Sequence, residues 1–228
     1  MARSIYIASP NAGTGKSTVA LGLVSCLTKV VAKVGVFRPF VESREGDAFL
    51  SLLLNRAGST TPPEQCVGAT WDEFHADPEE ALARIVDAYR AMAREHDVVI
   101  IDGSDFTDVA GNPELALNAR VAANIGVPVL LVVSGQNDVE DVVASVEVSM
   151  AEIADNHART VAVVANKCLP ETRQAVGEAL TAIEGITSTT LPEVPLLAAP
   201  VVREVLDAVE GTLIAGDETL LDREAESV

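Results

Sequence analysis

Histidine, cysteine and positive charge are scarce in this 228-residue chain, and long apolar runs are missing. Three histidines, His75, His96 and His157, are scattered beside turns and read as surface residues rather than metal ligands. Three cysteines, Cys26, Cys66 and Cys168, lie far apart, without the spacing of a zinc site or a redox pair. Cys26 and Cys168 sit in apolar segments and are expected to be buried thiols. No run approaches the ~20 apolar residues of a membrane span. The opening MARSIYIASPNAG is too short in apolar residues and too soon glycine-rich for a secretory signal, so a cytoplasmic location is expected.

Sixteen basic side chains face 34 acidic ones, a formal charge of −18. That balance argues against nucleic acid and against anionic membrane as partners. The imbalance is not uniform. Residues 1–60 carry seven Lys/Arg and three acids, or +4, so an anion site is expected near the N-terminus.

Short Val/Ile-rich runs alternate with longer amphipathic stretches. The runs are Ser4–Ser9, Val34–Pro39, Val98–Asp102, Val127–Val133, Thr160–Asn166 and Val194–Ala199. Without polar alternation they read as strands covered on both faces. Helices are expected at Gly15–Ala32, Asp77–Glu95, Asn112–Ile125, Asp138–Ala154, Pro170–Ile183 and Val201–Val209. Asp77-Pro78 and Asn112-Pro113 each open one with an N-cap and a proline at the first helical position. The alternation predicts an α/β fold, a three-layer doubly wound and mostly parallel sheet. Gly58–Phe74 looks like an insertion anchored by Trp71 and Phe74, the leucine run Phe49–Leu54 like core, and residues 201–228 are acidic.

The informative segment is Ser9–Thr18, SPNAGTGKST, directly between an expected strand and an expected helix. Small residues let backbone N–H groups face a phosphate, and the helix N-terminus adds its positive end. The cradle comprises Asn11, Ala12, Gly13, Thr14, Gly15, Lys16, Ser17 and Thr18; Lys16 reaches toward phosphates and the Ser17 hydroxyl toward Mg²⁺. Pro10 stands where such loops usually begin with glycine, so the loop entrance must differ.

Asp102 ends a strand, where its carboxylate either joins Ser17 at Mg²⁺ or serves as a turn aspartate. Asp47 either completes that metal shell or opens a helix. Arg38 either clamps a phosphate or acidic substrate, or pairs with Asp47 or Asp102. Asn166-Lys167 ends a strand on the same edge, to read a nucleobase and cover its ring, or simply to turn the chain. Ser104 lacks the setting of a hydrolase nucleophile.

In order along the chain, PNAGTGKST, KVGVFRPF, VVIIDGSDFTD, VPVLLVVSG and VANK resemble the N-terminal domain of long-form phosphate acetyltransferases, most closely the actinobacterial type. The resemblance spans roughly residues 1–215 and implies a P-loop NTPase fold like that of dethiobiotin synthetase, with 216–228 a linker toward a middle domain. It implies a fragment that binds Mg²⁺ and ATP or ADP in a regulatory role, with at most weak ATPase activity and no acyltransfer site. Its implied partners are a nucleotide or small-molecule effector, the remainder of the acetyltransferase chain, and further copies in a homo-oligomer. From the dethiobiotin synthetase relatives it implies magnesium ligation by Ser17, Asp47 and Asp102, and adenine reading by Asn166. Arg38 falls where those relatives carry a catalytic lysine, and an arginine cannot deprotonate in that role. A standalone ATP-dependent ligase of that type is the alternative. A partition-type ATPase fits less well, because Asn11 occupies the place of its second lysine.

Overall fold

The computed structural model describes residues 3–104, 114–197, 199, 201–209 and 211–223. The Asn112-Pro113 helix opening, the 105–108 part of the VVIIDGSDFTD block and the last five linker residues lie outside these. The described chain divides into two compact units, Met1–Leu191 and Pro192–Val228. The expected domain-to-linker boundary, 215/216, lies inside the second.

The first unit is built on seven strands: β1 (Arg3–Ala8), β2 (Val34–Val41), β3 (Val67–Thr70), β4 (Val98–Asp102), β5 (Val129–Ser134), β6 (Thr160–Cys168) and β7 (Thr187–Pro192). Their order across the sheet is β3-β2-β4-β1-β5-β6-β7, and β1 to β6 pair in parallel. Five strands come from runs read in the sequence. The central ones are covered on both faces, as their unbroken apolar character requires: Val99, Ile100, Ile101, Val129 and Leu131 have no exposed surface.

The helices are α1 (Lys16–Leu27), α2 (Ala48–Ala57), α3 (Trp71–Ala76), α4 (Pro78–Glu95), α5 (Glu114–Ile125), α6 (Val139–Asp155) and α7 (Arg173–Thr181). Right-handed crossovers place α1 and α2 on one face, because those connections move outward from β1. The connections from β3 to β4, β4 to β5 and β5 to β6 run the other way and place α4, α5 and α6 on the opposite face. Asp77 caps α4 as expected, accepting from the Glu80 N–H at 3.0 Å with Pro78 next.

The structure corrects three expectations. Gly58–Phe74 is no mere insertion, because it holds β3, whose four residues are too few to show a pattern. Val194–Ala199 is not a strand; Pro195–Leu197 is a 3₁₀ turn, and Pro195 has no N–H to give a ladder. The last strand is instead Thr187–Pro192, a largely exposed edge whose Thr/Ser content hid it from a search for apolar runs. Cys26 is exposed, on the outer side of α1, whereas Cys168 is buried as expected.

Trp71 and Phe74 join the core by packing on Phe40 of β2, with ring centroids 4.8 and 5.2 Å away. Thr70 and Glu73 form a capping box for α3. The Thr70 backbone N–H, with Arg44, holds the Glu73 carboxyl below its ordinary pKa. Leu50, Leu53 and Leu54 of α2 are buried as expected of that run. In the second unit, α8 (Val202–Ala208) packs on the 3₁₀ turn Glu218–Asp222, with Arg203 bonded to Asp222 at 2.9 Å.

Gly68 of β3 faces α4 so closely that a Cβ would lie 2.5 Å from Ile85 and 2.6 Å from the Pro39 carbonyl. Gly68→Ala should therefore cost about 1–3 kcal/mol, as overpacked core sites do. Gly22, exposed within α1 with nothing near its missing Cβ, should instead gain about 0.5–1 kcal/mol on change to alanine. Urea titrations of both variants check the opposite signs.

Candidate nucleotide-binding site

β1 stops at Ala8, and the chain turns over the carboxyl edge of the sheet before entering α1 at Lys16. This is where the strand order reverses: the connection after β1 leads outward to β2, whereas β5 lies on β1's other side. Open α/β sheets present their ligand crevice at such a point.

Gly13 and Gly15 adopt left-handed φ values of 75° and 79°, and Gly15 is the N-cap of α1. A side chain at Gly15 would also collide with Asn166, whose Nδ2 lies 2.3 Å from where its Cβ would be. Asn11, Ala12, Gly13 and Thr18 are exposed, Ser17 is half-buried in the first turn of α1, and Thr14 is buried with no hydrogen-bond partner for its Oγ1.

Lys16 is the unusual member. Its side chain is 1% exposed and its Nζ lies 2.7 Å from Oδ1 of Asp102, itself 0% exposed at the end of β4. The same ammonium donates to the Gly103 carbonyl. Arg38 lies on the other side of Asp102, with Nε 3.4 Å from Oδ2 and Nη1 donating to Oδ2 of Asp47. Its guanidinium also stands 5.9 Å over the Phe49 ring. Of the alternatives for Arg38, the pairing with Asp47 and Asp102 is the one formed. Asp47 opens α2, its Oδ1 accepting from the Leu50 N–H at 2.8 Å. The four side chains thus form one row, Lys16–Asp102–Arg38–Asp47, with two charges of each sign.

Asn166 and Lys167 reach the loop rather than open solvent. Asn166 Nδ2 donates to the Thr14 carbonyl at 2.8 Å, and Lys167 Nζ to the Gly13 carbonyl at 2.8 Å. Lys167 holds a left-handed φ of 59°, which re-aims the chain at the strand end.

Sequence reasoning missed the support under Asp102. Asn118 of α5 is completely buried; its Oδ1 accepts from Tyr6 Oη at 2.6 Å and from the Ser104 N–H at 3.0 Å. Gly103 sits between them, where a Cβ would be 2.6 Å from Asn118 Oδ1 and 2.7 Å from the Ile7 carbonyl. The available signal was an asparagine amid Leu115, Leu117, Ala119, Val121 and Ala122, all of them buried. Ser104, buried and without a partner for its Oγ, lines a cavity of about 240 Å³ beside Arg38 and Asp47.

Asp47 and Asp102 are thus close, but each already faces the Arg38 guanidinium. Among the described residues no group of three or more His, Cys, Asp or Glu is placed to hold a metal ion. The aspartate set expected for Mg²⁺ does not fit that ion, because a cationic side chain lies against both carboxylates.

The model of a family described as an AAA domain (AAA_26) matches residues 3–202. Phosphate acetyltransferase of Nitratidesulfovibrio vulgaris is 27% identical over 73% of this chain and 25% of its own length. That of Synechocystis is 23% identical over 96% of this chain and 33% of its own. The chain therefore spans a quarter to a third of these relatives. A Borrelia burgdorferi B31 protein named as a plasmid partition protein, solved with AMPPNP, matches with a TM-score of 0.58 at 14% identity, over 96% of this chain and 94% of that one. FtsY of Elizabethkingia anophelis with GDP gives 0.55 at 17% identity, over 85% and 58%. These neighbours share the fold. No described helix is long and apolar enough to cross a membrane.

Burial, then the charges of Asp102 and Glu114, raise the Tyr6 pKa well above its ordinary 10.0. Because the folded state favours the neutral phenol, this stability is full below pH 10 and falls as pH rises toward the folded pKa. Tyr6→Phe should cost about 1 kcal/mol at pH 7 through loss of the bond to Asn118. It should also flatten the decline of stability above pH 10, measured by urea titration across that range.

Proposed function

The chain belongs to the AAA_26 family of AAA domains, and from that premise we propose that it is the nucleotide-binding regulatory domain of a phosphate acetyltransferase. Acetyl transfer between CoA and phosphate belongs, in this reading, to a separate part of the enzyme. The single observation that carries nucleotide binding is the loop itself: two left-handed glycines opening α1, with Lys16 at its first position. Such a loop turns successive N–H groups toward an anion, and the helix N-terminus reinforces them. The acetyltransferase assignment is supported by the relative that aligns with 96% of this chain.

The parts have separate tasks. Gly13 to Ser17 cradle phosphates. Lys16 exchanges Asp102 for the phosphate oxygens, and the Ser17 hydroxyl faces any cation the nucleotide carries. Because the Asn166 amide donates to Thr14, its Oδ1 is left to accept from a nucleobase amino group, and Lys167 steadies the loop from the same strand end. Adenine presents such an amino group, which favours ATP or ADP. A ligase of the dethiobiotin synthetase type is less well supported, because Arg38 is held by two carboxylates and cannot give up its proton.

Millimolar ATP or ADP should raise the melting temperature by several degrees, since a ligand at 100 times its Kd adds about 2.7 kcal/mol. Lys16→Ala should abolish that shift. It should also lower unliganded stability by about 1–3 kcal/mol, because Asp102 loses its bonded ammonium and keeps only the Arg38 charge 3.4 Å away. Scanning calorimetry with and without nucleotide separates the two effects; no shift in the wild-type protein would exclude the reading.

A further inference from the structure

The row Lys16–Asp102–Arg38–Asp47 holds an internal cation where a metal shell was expected, which bears on the form of nucleotide the loop takes. Resting on the nucleotide-binding reading, we propose that Arg38 replaces an aspartate-held divalent cation, so that nucleotide binds without needing Mg²⁺. Oδ2 of Asp102 and Nε of Arg38 are both buried, both without a hydrogen bond, and 3.4 Å apart. They are facing halves of a bond not yet made.

When phosphates draw Lys16 away, Asp102 loses its bonded ammonium while its own side chain is 0% exposed. An unpaired buried carboxylate costs several kcal/mol, so a cation must take over. In a metal-dependent loop that cation is the divalent ion. Here Arg38 is already in place: a small shift of the guanidinium brings Nε onto Oδ2 while Nη1 keeps Asp47. The planar fork of arginine can serve two carboxylates at once. A dication on either carboxylate would instead stand against a fixed positive charge. Any Mg²⁺ accompanying the nucleotide is therefore held by its phosphates, with only Ser17 contributed by the chain.

The test is isothermal titration calorimetry of ADP into the full chain, once in excess Mg²⁺ and once in EDTA. The expected result is a Kd that changes less than about threefold between the two conditions. In Arg38→Ala the two carboxylates are left without their shared cation; ADP affinity in EDTA should fall at least tenfold and recover on adding Mg²⁺. Arg38→Gln, which keeps hydrogen-bonding capacity and size but no charge, should behave alike, and circular dichroism melts verify that each variant is folded. Electron paramagnetic resonance of Mn²⁺ without nucleotide should detect no bound ion in the wild-type protein and a bound ion in Arg38→Gln. A wild-type protein that loses ADP tenfold or more in EDTA, or that binds Mn²⁺ alone, overturns the role of Arg38 while leaving nucleotide binding intact. No ADP binding under either condition overturns the nucleotide reading itself.

Discussion

A buried ammonium and a buried carboxylate, 2.7 Å apart, organise the carboxyl edge of this sheet. Removing both charges from water is costly, and their attraction offsets that cost only when the geometry is good and the remaining valences are met. The surrounding structure meets them in part: the Gly103 carbonyl accepts from Lys16, while the second oxygen of Asp102 has the Arg38 charge 3.4 Å away but no hydrogen bond. Lys16 is thus stored, not exposed. In the proposed reading, the ammonium leaves Asp102 only for a ligand whose oxygens replace that carboxylate.

That pair needs rigid backing, which two separate contacts supply. Below it, Tyr6 and Asn118 fix the backbone of Gly103 and Ser104, so the strand end cannot move without breaking a 2.6 Å bond in the core. Above it, Asn166 and Lys167 hold the carbonyls of Thr14 and Gly13. The loop is therefore tied to three strands of the sheet: β4 through Asp102, β1 by continuity and, across β5, β6 through Asn166. Preorganisation of this kind lowers the entropy lost on binding, since the N–H groups need not be gathered when a phosphate arrives.

The sequence made the central features legible because they are local. Gly-Lys-Ser after an apolar run specifies the loop, and Val98–Asp102 specifies both a covered strand and the carboxylate at its end. What was illegible is non-local or short. Whether Arg38 would meet a ligand or the two aspartates depends on how α2 approaches β2, which no spacing encodes. Asn118 joins Tyr6 across 112 residues. β3 has four residues, and its Gly68 is dictated by Ile85 on a helix that follows later. β7 is an exposed edge, so its residues carry no hydrophobic signal. Cys26 was misjudged because helix α1 is apolar almost throughout, leaving its outward side unmarked.

The same geometry changes the meaning of the charge distribution. The +4 of residues 1–60 gives an expectation of an anion site there, but two of its cations, Lys16 and Arg38, are matched by the carboxylates of Asp102 and Asp47. The row Lys16–Asp102–Arg38–Asp47 therefore has no net charge, and Lys167 adds one cation beside the loop. In the proposed reading, the pull on an anion comes from Lys167, the loop N–H groups and the start of α1, the last two being short-range dipoles that act within the first turn. A chain of formal charge −18 repels an anion at a distance, and one further cation beside the loop offsets little of that. Selectivity, in the proposed reading, arises at contact, from the exchange of Asp102 for phosphate at Lys16. The proposed role of Arg38 lowers the cost of that exchange, since its guanidinium lies 3.4 Å from the oxygen of Asp102 that Lys16 does not hold.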